Sequence, residues 1–133
     1  MSYFVDHIDI QNLLKAKERF EEFRQNMQTD RDRAGAIQAF EFSYELAWKT
    51  IKRILNQRGL NITTPRDCFR EAALNNWISD PKIWFSFIEK RNISSHTYDE
   101  ENVIKVVAIF DNFSQALTEL VTNLKKIHDT SST

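Results

Sequence analysis

Arg91, His96 and Tyr98 are the residues whose types and spacing could do chemistry, with Asn92 beside the arginine. They lie in the polar run Lys90-Arg91-Asn92-Ile93-Ser94-Ser95-His96-Thr97-Tyr98-Asp99, between two apolar segments. Arginine is always charged and forks onto phosphate oxygens. Histidine takes or gives a proton near neutral pH. Together they suit cleavage of RNA without a metal. The imidazole would deprotonate a 2′-hydroxyl or protonate a leaving oxygen, and the guanidinium would hold the phosphate. Asn92 could orient the histidine or bind phosphate. Tyr98 could stack on a base or offer its hydroxyl as an acceptor. A purely structural role also fits these residues. In that case Arg91 pairs with Glu89, Asp99 or Glu100, His96 caps a helix and Tyr98 packs at a helix start.

The geometry depends on where the surrounding helix stops. Five positions on a continuous α-helix are about 140° apart, so Arg91 and His96 would diverge. A helix ending near Asn92 or Ile93 lets a turn bring them together, with Tyr98 at the rim. On a continuing helix, Asn92 and His96 would meet instead.

The elements that must position this run read as helices. The chain has 133 residues, enough for one domain with a real core. With 41% hydrophobic and 28% charged residues it belongs to the water-soluble globular class. Two Gly and two Pro are too few for the turns of a sandwich or barrel. A first helix is expected from Asp9, as N-cap, to Met27, with Leu13, Ala16, Phe20 and Phe23 on one face and Thr29-Asp30 breaking the pattern. A second, central helix runs from Arg31 to Arg58, its stripe including Ile37, Phe40, Tyr44, Ala47, Ile51 and Ile54, with Gly59 as its stop. Thr64-Pro65 opens a shorter helix reaching Trp77, and Ser79-Asp80-Pro81 opens the one that carries Arg91. Asp99-Glu100-Glu101 starts a last helix running to Ile127.

The expected fold is all-α: an antiparallel up-and-down bundle of four to five helices. It forms a single domain over 1–133, with its core at 9–127 and a frayed tail at 129–133. Tyr44 falls on the apolar stripe and reads as core, although it and Glu45 could face a cleft. Trp48, Trp77 and Trp84 read as core or interface, and Cys68 as a small buried hydrophobe.

Several classes fall away. One cysteine allows no internal disulfide and no cysteine-rich zinc site. His7, His96 and His128 have no ligand spacing, so neither metal nor cofactor is expected. No apolar run is long enough for a membrane span, and with Asp6 and Asp9 early and no apolar h-region a signal peptide is not expected. A reduced, cytoplasmic setting fits. The net charge of −1 argues against non-specific binding of DNA by the whole surface. Residues 31–70 nevertheless carry eight Lys/Arg against four Asp/Glu, which could be a basic face or ordinary solvated surface.

The pattern Arg91-Asn92-x-x-x-His96-x-Tyr98 resembles the signature of HEPN-domain proteins. The text Gln38-Ala39-Phe40-Glu41-Phe42-Ser43-Tyr44-Glu45-Leu46-Ala47-Trp48-Lys49 is similar to the nucleotidyltransferase substrate-binding proteins, which are related to HepT toxins. So are Pro65-Arg66-Asp67-x-Phe69-Arg70-Glu71-Ala72 and the run from Arg91 to Glu100. The similarity spans residues 9–127.

The resemblance implies a HEPN bundle, a homodimer with two motifs facing a shared cleft, and a cognate small nucleotidyltransferase as partner. It implies a metal-independent ribonuclease toxin of a type VII-like toxin–antitoxin pair. Arg91 and His96 would be catalytic, Asn92 supporting, and Tyr98 the acceptor of AMP transferred by the antitoxin. It also admits a non-catalytic subunit that presents a nucleotide or other substrate to the nucleotidyltransferase. A dimerisation module without cleft chemistry is the third possibility.

Overall fold

The computed structural model describes residues 3–131, with side chains through His128. Before the first helix the chain makes a small antiparallel hairpin that the sequence pattern does not announce. Its strands are β1 (Phe4–Val5) and β2 (Ile8–Asp9), with Phe4 opposite Asp9 and Val5 opposite Ile8. Asp6 and His7 at the turn have φ of 51° and 71°, the left-handed pair that a two-residue hairpin turn requires. Val5 is fully buried, and Asp6 forms an ion pair with Arg58 at the far end of the second helix.

Six α-helices follow among the described residues. Helix α1 (Gln11–Arg24) buries Leu13, Ala16 and Phe20 as its spacing predicts, but it ends before Met27. Ile10 takes the cap position. Asp9 still serves the helix start, since its Oδ1 accepts from the Gln11 amide at 2.8 Å. Helix α2 (Asp30–Gln57) begins in a capping box: Thr29 accepts from the Asp32 amide, and the Asp32 carboxylate accepts from the Thr29 amide. The Thr29-Asp30 break therefore opens α2. Gly59 lies just past its end with φ of 89°, a backbone conformation that a side chain would strain.

Helix α3 (Pro65–Leu74) is capped by Thr64 and stops at Asn75, short of Trp77, because Asn76 turns left-handed at φ 62°. Helix α4 (Pro81–Ile93) is capped by Asp80. The expected single last helix is two: α5 (Glu100–Val107), capped by Asp99, and α6 (Phe110–Ser131). Between them the Ile109 amide donates to the Val106 carbonyl at 3.2 Å, a tighter turn than the α-helix. Helix α6 runs through Ser131, into the stretch expected to fray; Ser132 and Thr133 lie outside the described residues.

Consecutive helices pack side by side, α1 on α2, α2 on α3 and α3 on α4, and α6 closes against α1. This is the up-and-down bundle that short connections favour. Phe113 sits at its centre, meeting Phe20 at 5.1 Å, Phe40 at 4.8 Å and Phe87 at 5.2 Å, all edge to face. Each such pair contributes about 0.5–1.5 kcal/mol beyond simple burial. Trp84 is fully buried and stacks on Phe69, while Trp77 and Tyr44 are buried and Trp48 partly so.

Two polar links pin α1. The Ser43 hydroxyl reaches the Ala39 carbonyl at 2.8 Å and the Ala16 carbonyl at 3.1 Å. Glu21 accepts from Ser114 and Arg24. Burial pushes the Glu21 carboxyl up, but those two bonds outweigh it and hold it below its ordinary value.

Candidate functional site

The Asp80-Pro81 start fixes where α4 begins, and its last turn carries Arg91 and Asn92. The helix ends at Ile93, and a 3-10 turn follows over Ser94–His96. Asp99 then caps α5. Arg91 and His96 therefore do not share one continuous α-helix, which is the condition their spacing demanded. The turn is tied to α5 through the His96 carbonyl, which accepts from the Asn102 side chain at 2.9 Å and the Asp99 amide at 3.3 Å.

The two side chains take different surroundings. Arg91 turns inward against α2. Its Nη1 donates to Glu41 Oε2 at 3.0 Å and to Ser94 Oγ at 3.3 Å. Ser94 in turn donates to the same Glu41 oxygen at 2.6 Å. Arg91 Nε is buried without a hydrogen bond, 3.5 Å from Glu45 Oε1. Its Nη2 makes no hydrogen bond or ion pair among the described residues. The Glu45 carboxylate is itself fixed by the Trp48 indole N–H at 3.1 Å and by Lys49 at 3.6 Å. The partners expected for Arg91 were Glu89, Asp99 or Glu100. The structure replaces them with Glu41 and Glu45 on α2, because the Arg91 side of α4's last turn faces that helix.

His96 is exposed, and its ring meets Tyr98 edge-on with centroids 5.8 Å apart. Tyr98 is 88% exposed. Asn92 is also exposed; its carbonyl accepts from the Ser95 hydroxyl at 3.1 Å. No hydrogen bond among the described residues joins His96 to Asn92 or to Arg91. Within one chain, Arg91 is thus clamped against α2, while the histidine and tyrosine are exposed in the turn that follows.

A groove of about 460 Å³ adjoins the clamp between the first half of α2 and the start of α5. Glu41 and Ser94 are common to clamp and groove. Ile37 and Val103 line its apolar part. Arg33 lies at the other end, paired with Asp30 and 3.7 Å from Glu100. A second, apolar hollow of about 320 Å³ between α1 and α2 includes Phe23 and the exposed Phe42.

Half of the eight basic residues between 31 and 70 are held in ion pairs. Arg33, Lys49, Arg58 and Arg70 each have an acidic partner. Arg66 and Arg70 lie over the Phe85 ring, at 4.3 and 5.5 Å. Among the described residues, no group of three or more His, Cys, Asp or Glu side chains could hold a metal ion. No helix among them is long and apolar enough to cross a membrane. Cys68 and Tyr44 are buried, and burial raises both; the Cys68 thiol is pushed up to about 11.

Sequence reasoning missed Glu41 and Ser94. A signal was present: Ser94 is three residues after Arg91, and Glu41 and Glu45 are four apart on one face of a helix otherwise rich in apolar residues.

Fold and site define a helical-bundle protein with an arginine–histidine–tyrosine segment that begins in the last turn of its fourth helix. The sequence profile described as "nucleotidyltransferase substrate binding protein like" matches residues 8–126, and the chain belongs to that family. A Haemophilus influenzae protein described as a probable ribonuclease HepT is 44% identical over 85 residues. That match covers 60% of this chain and 58% of the relative, less than two thirds of its length.

A solved structure from Haemophilus influenzae, described as the fold of a substrate-binding domain of a nucleotidyltransferase, superposes with a TM-score of 0.76 at 33% identity. The superposition covers 86% of this chain and 98% of that one. A Thermus thermophilus structure shares the fold at a TM-score of 0.78 and 20% identity, over 85% of this chain and 98% of that one.

Proposed function

We propose that this chain is a HEPN-type ribonuclease toxin that cleaves RNA without a metal and is restrained by a cognate nucleotidyltransferase. The clamp on Arg91 carries the reading. Glu41 and Ser94 hold the guanidinium through Nη1, which leaves Nη2 to meet a non-bridging phosphate oxygen. His96 removes the 2′-hydroxyl proton. The 2′-oxygen attacks phosphorus, the bond to the 5′-oxygen breaks, and that oxygen takes a proton from an imidazolium. The products carry a 2′,3′-cyclic phosphate and a 5′-hydroxyl. One chain offers one histidine in this segment, whereas the step uses a base and an acid. A two-fold dimer with motifs across a shared cleft supplies both. Asn92, exposed beside Arg91, supports phosphate binding.

The exposure of Tyr98 suits it to modification by a partner protein. The nucleotidyltransferase would pass AMP from ATP to the Tyr98 oxygen, with pyrophosphate leaving. The added bulk and negative charge beside Arg91 would exclude a phosphate by sterics and repulsion. The setting is the cytoplasm, where RNA and the partner are both present.

One observation favours a second reading, a non-catalytic subunit that presents a nucleotide to the nucleotidyltransferase: two carboxylates already offset the charge of Arg91. An RNase assay without divalent metal, on wild type, Arg91→Ala and His96→Ala, separates the two. Cleavage lost in both variants, with cyclic phosphate ends, supports the ribonuclease. RNA binding that needs Arg91 but survives His96→Ala, with no cleavage by protein that mass spectrometry shows free of AMP, supports the subunit.

A further inference from the structure

We propose that the groove beside the Arg91 clamp is a nucleobase pocket that selects bases carrying an exocyclic amino group over uracil, next to the phosphate held at Arg91. The inference deepens the ribonuclease reading and rests on it for the identity of that phosphate. Its volume of about 460 Å³ lies within the ordinary range of small-molecule sites. Ile37 and Val103 give it an apolar surface against which a flat ring can lie. Its charge argues against phosphate inside: Arg33 is already committed to Asp30 and Glu100, and Glu41 adds a further negative group. An acidic groove with an apolar floor favours a neutral ring that brings hydrogen-bond donors.

Glu41 connects the two halves of the site. Both bonds from Arg91 and Ser94 fall on its Oε2. Its Oε1 has no hydrogen bond among the described residues, and Glu41 is part of the groove lining. An exocyclic amino group of adenine, cytosine or guanine would satisfy that oxygen. Uracil carries no amino group, and carbonyl oxygens flank its one ring N–H, so it is disfavoured there. Gln38, exposed on the rim, can donate to the ring nitrogen beside the amino group. One nucleotide would thus span the site, with its phosphate on Arg91 and its base between Ile37 and Val103.

The test is fluorescence-anisotropy binding of 2′-O-methyl octamers of A, C and U, which cannot be cleaved, to the whole chain. The A and C octamers are expected to bind about 10-fold more tightly than U, the discrimination typical of one well-formed base contact. Gln38→Leu keeps the size of the side chain and should reduce the difference to about 3-fold or less. Val103→Trp fills the groove and should weaken A and C while sparing U. Equal affinity for all three octamers would overturn the pocket, as would a preference that survives both substitutions. Sedimentation of the Val103→Trp protein adds a further check: loss of a dimer with base preference intact would assign the groove to a second copy and refute the pocket. The outcomes separate from the ribonuclease reading. Base preference without cleavage leaves the pocket standing alone, and cleavage without base preference removes only the pocket.

Discussion

Glu41 and Arg91 are 50 residues apart in sequence and 3.0 Å apart in the fold. The carboxylate holds the guanidinium from behind and does not compete for Nη2. Glu41→Gln keeps the shape and removes the charge. Cleavage should fall about 10-fold, the loss of one charge-assisted hydrogen bond. The urea midpoint should barely move, since the pair is partly exposed. A large stability change with unaltered specific activity would mean that Glu41 only braces α2 against α4.

Gly35 touches the end of α1. A Cβ there would lie 2.7 Å from the Phe23 ring. Alanine favours a helix interior by about 1 kcal/mol over glycine, but the ring must move to admit it. In wild type, Gly35→Ala should therefore be close to neutral. In a Phe23→Ala background it should stabilise by about 1 kcal/mol. A double-mutant cycle in urea measures the difference, and additivity would show that the two do not interact.

The hairpin turn holds His7 at a positive φ. A side chain there costs roughly 1–2 kcal/mol, partly offset by the entropy that glycine loses on folding. His7→Gly should raise stability by about 0.5 kcal/mol, read from the urea midpoint. The hairpin's ion pair uses Asp6, so that link is untouched.

Alkali should weaken the fold through its buried thiol. Cys68 has an ordinary thiol value of 9.0 and is pushed up to about 11 by burial; Tyr44 is raised for the same reason. Between pH 9 and about 11 the unfolded chain releases the Cys68 proton while the folded chain keeps it. Stability is therefore whole below pH 9 and falls through that window. Urea midpoints from pH 7 to 10.5 should show the decline, and Cys68→Ala should flatten it. At pH 8 the native thiol should stay inert to an aromatic disulfide reagent until the protein unfolds.

The parts of the fold that could be read from sequence were those with local chemistry. Thr64-Pro65 and Asp80-Pro81 mark helix starts because proline at the first position carries no amide to satisfy. Thr29 was legible in principle, but its box closes with Asp32 in place of the usual glutamate or glutamine. The hairpin was hidden because strands of two residues show no alternation and its turn lacks glycine. The break between α5 and α6 was hidden because the apolar stripe passes from Val106 to Phe110 and Phe113 at helical spacing, and neither Ala108 nor Ile109 signals a stop. At the site, the local segment announced Arg91, His96 and Tyr98. The partner of Arg91 is a tertiary fact, set by how α4 lies on α2, and no spacing within the segment encodes it.

That long reach has a consequence during synthesis. Glu41 leaves the ribosome well before Arg91, and the turn bearing His96 follows later still. An unfinished or prematurely terminated chain owns the acidic half of the clamp without its cation, or has both before α6 can brace them. On the proposed ribonuclease reading, the activity is therefore withheld from any fragment that ends before the last turn of α4.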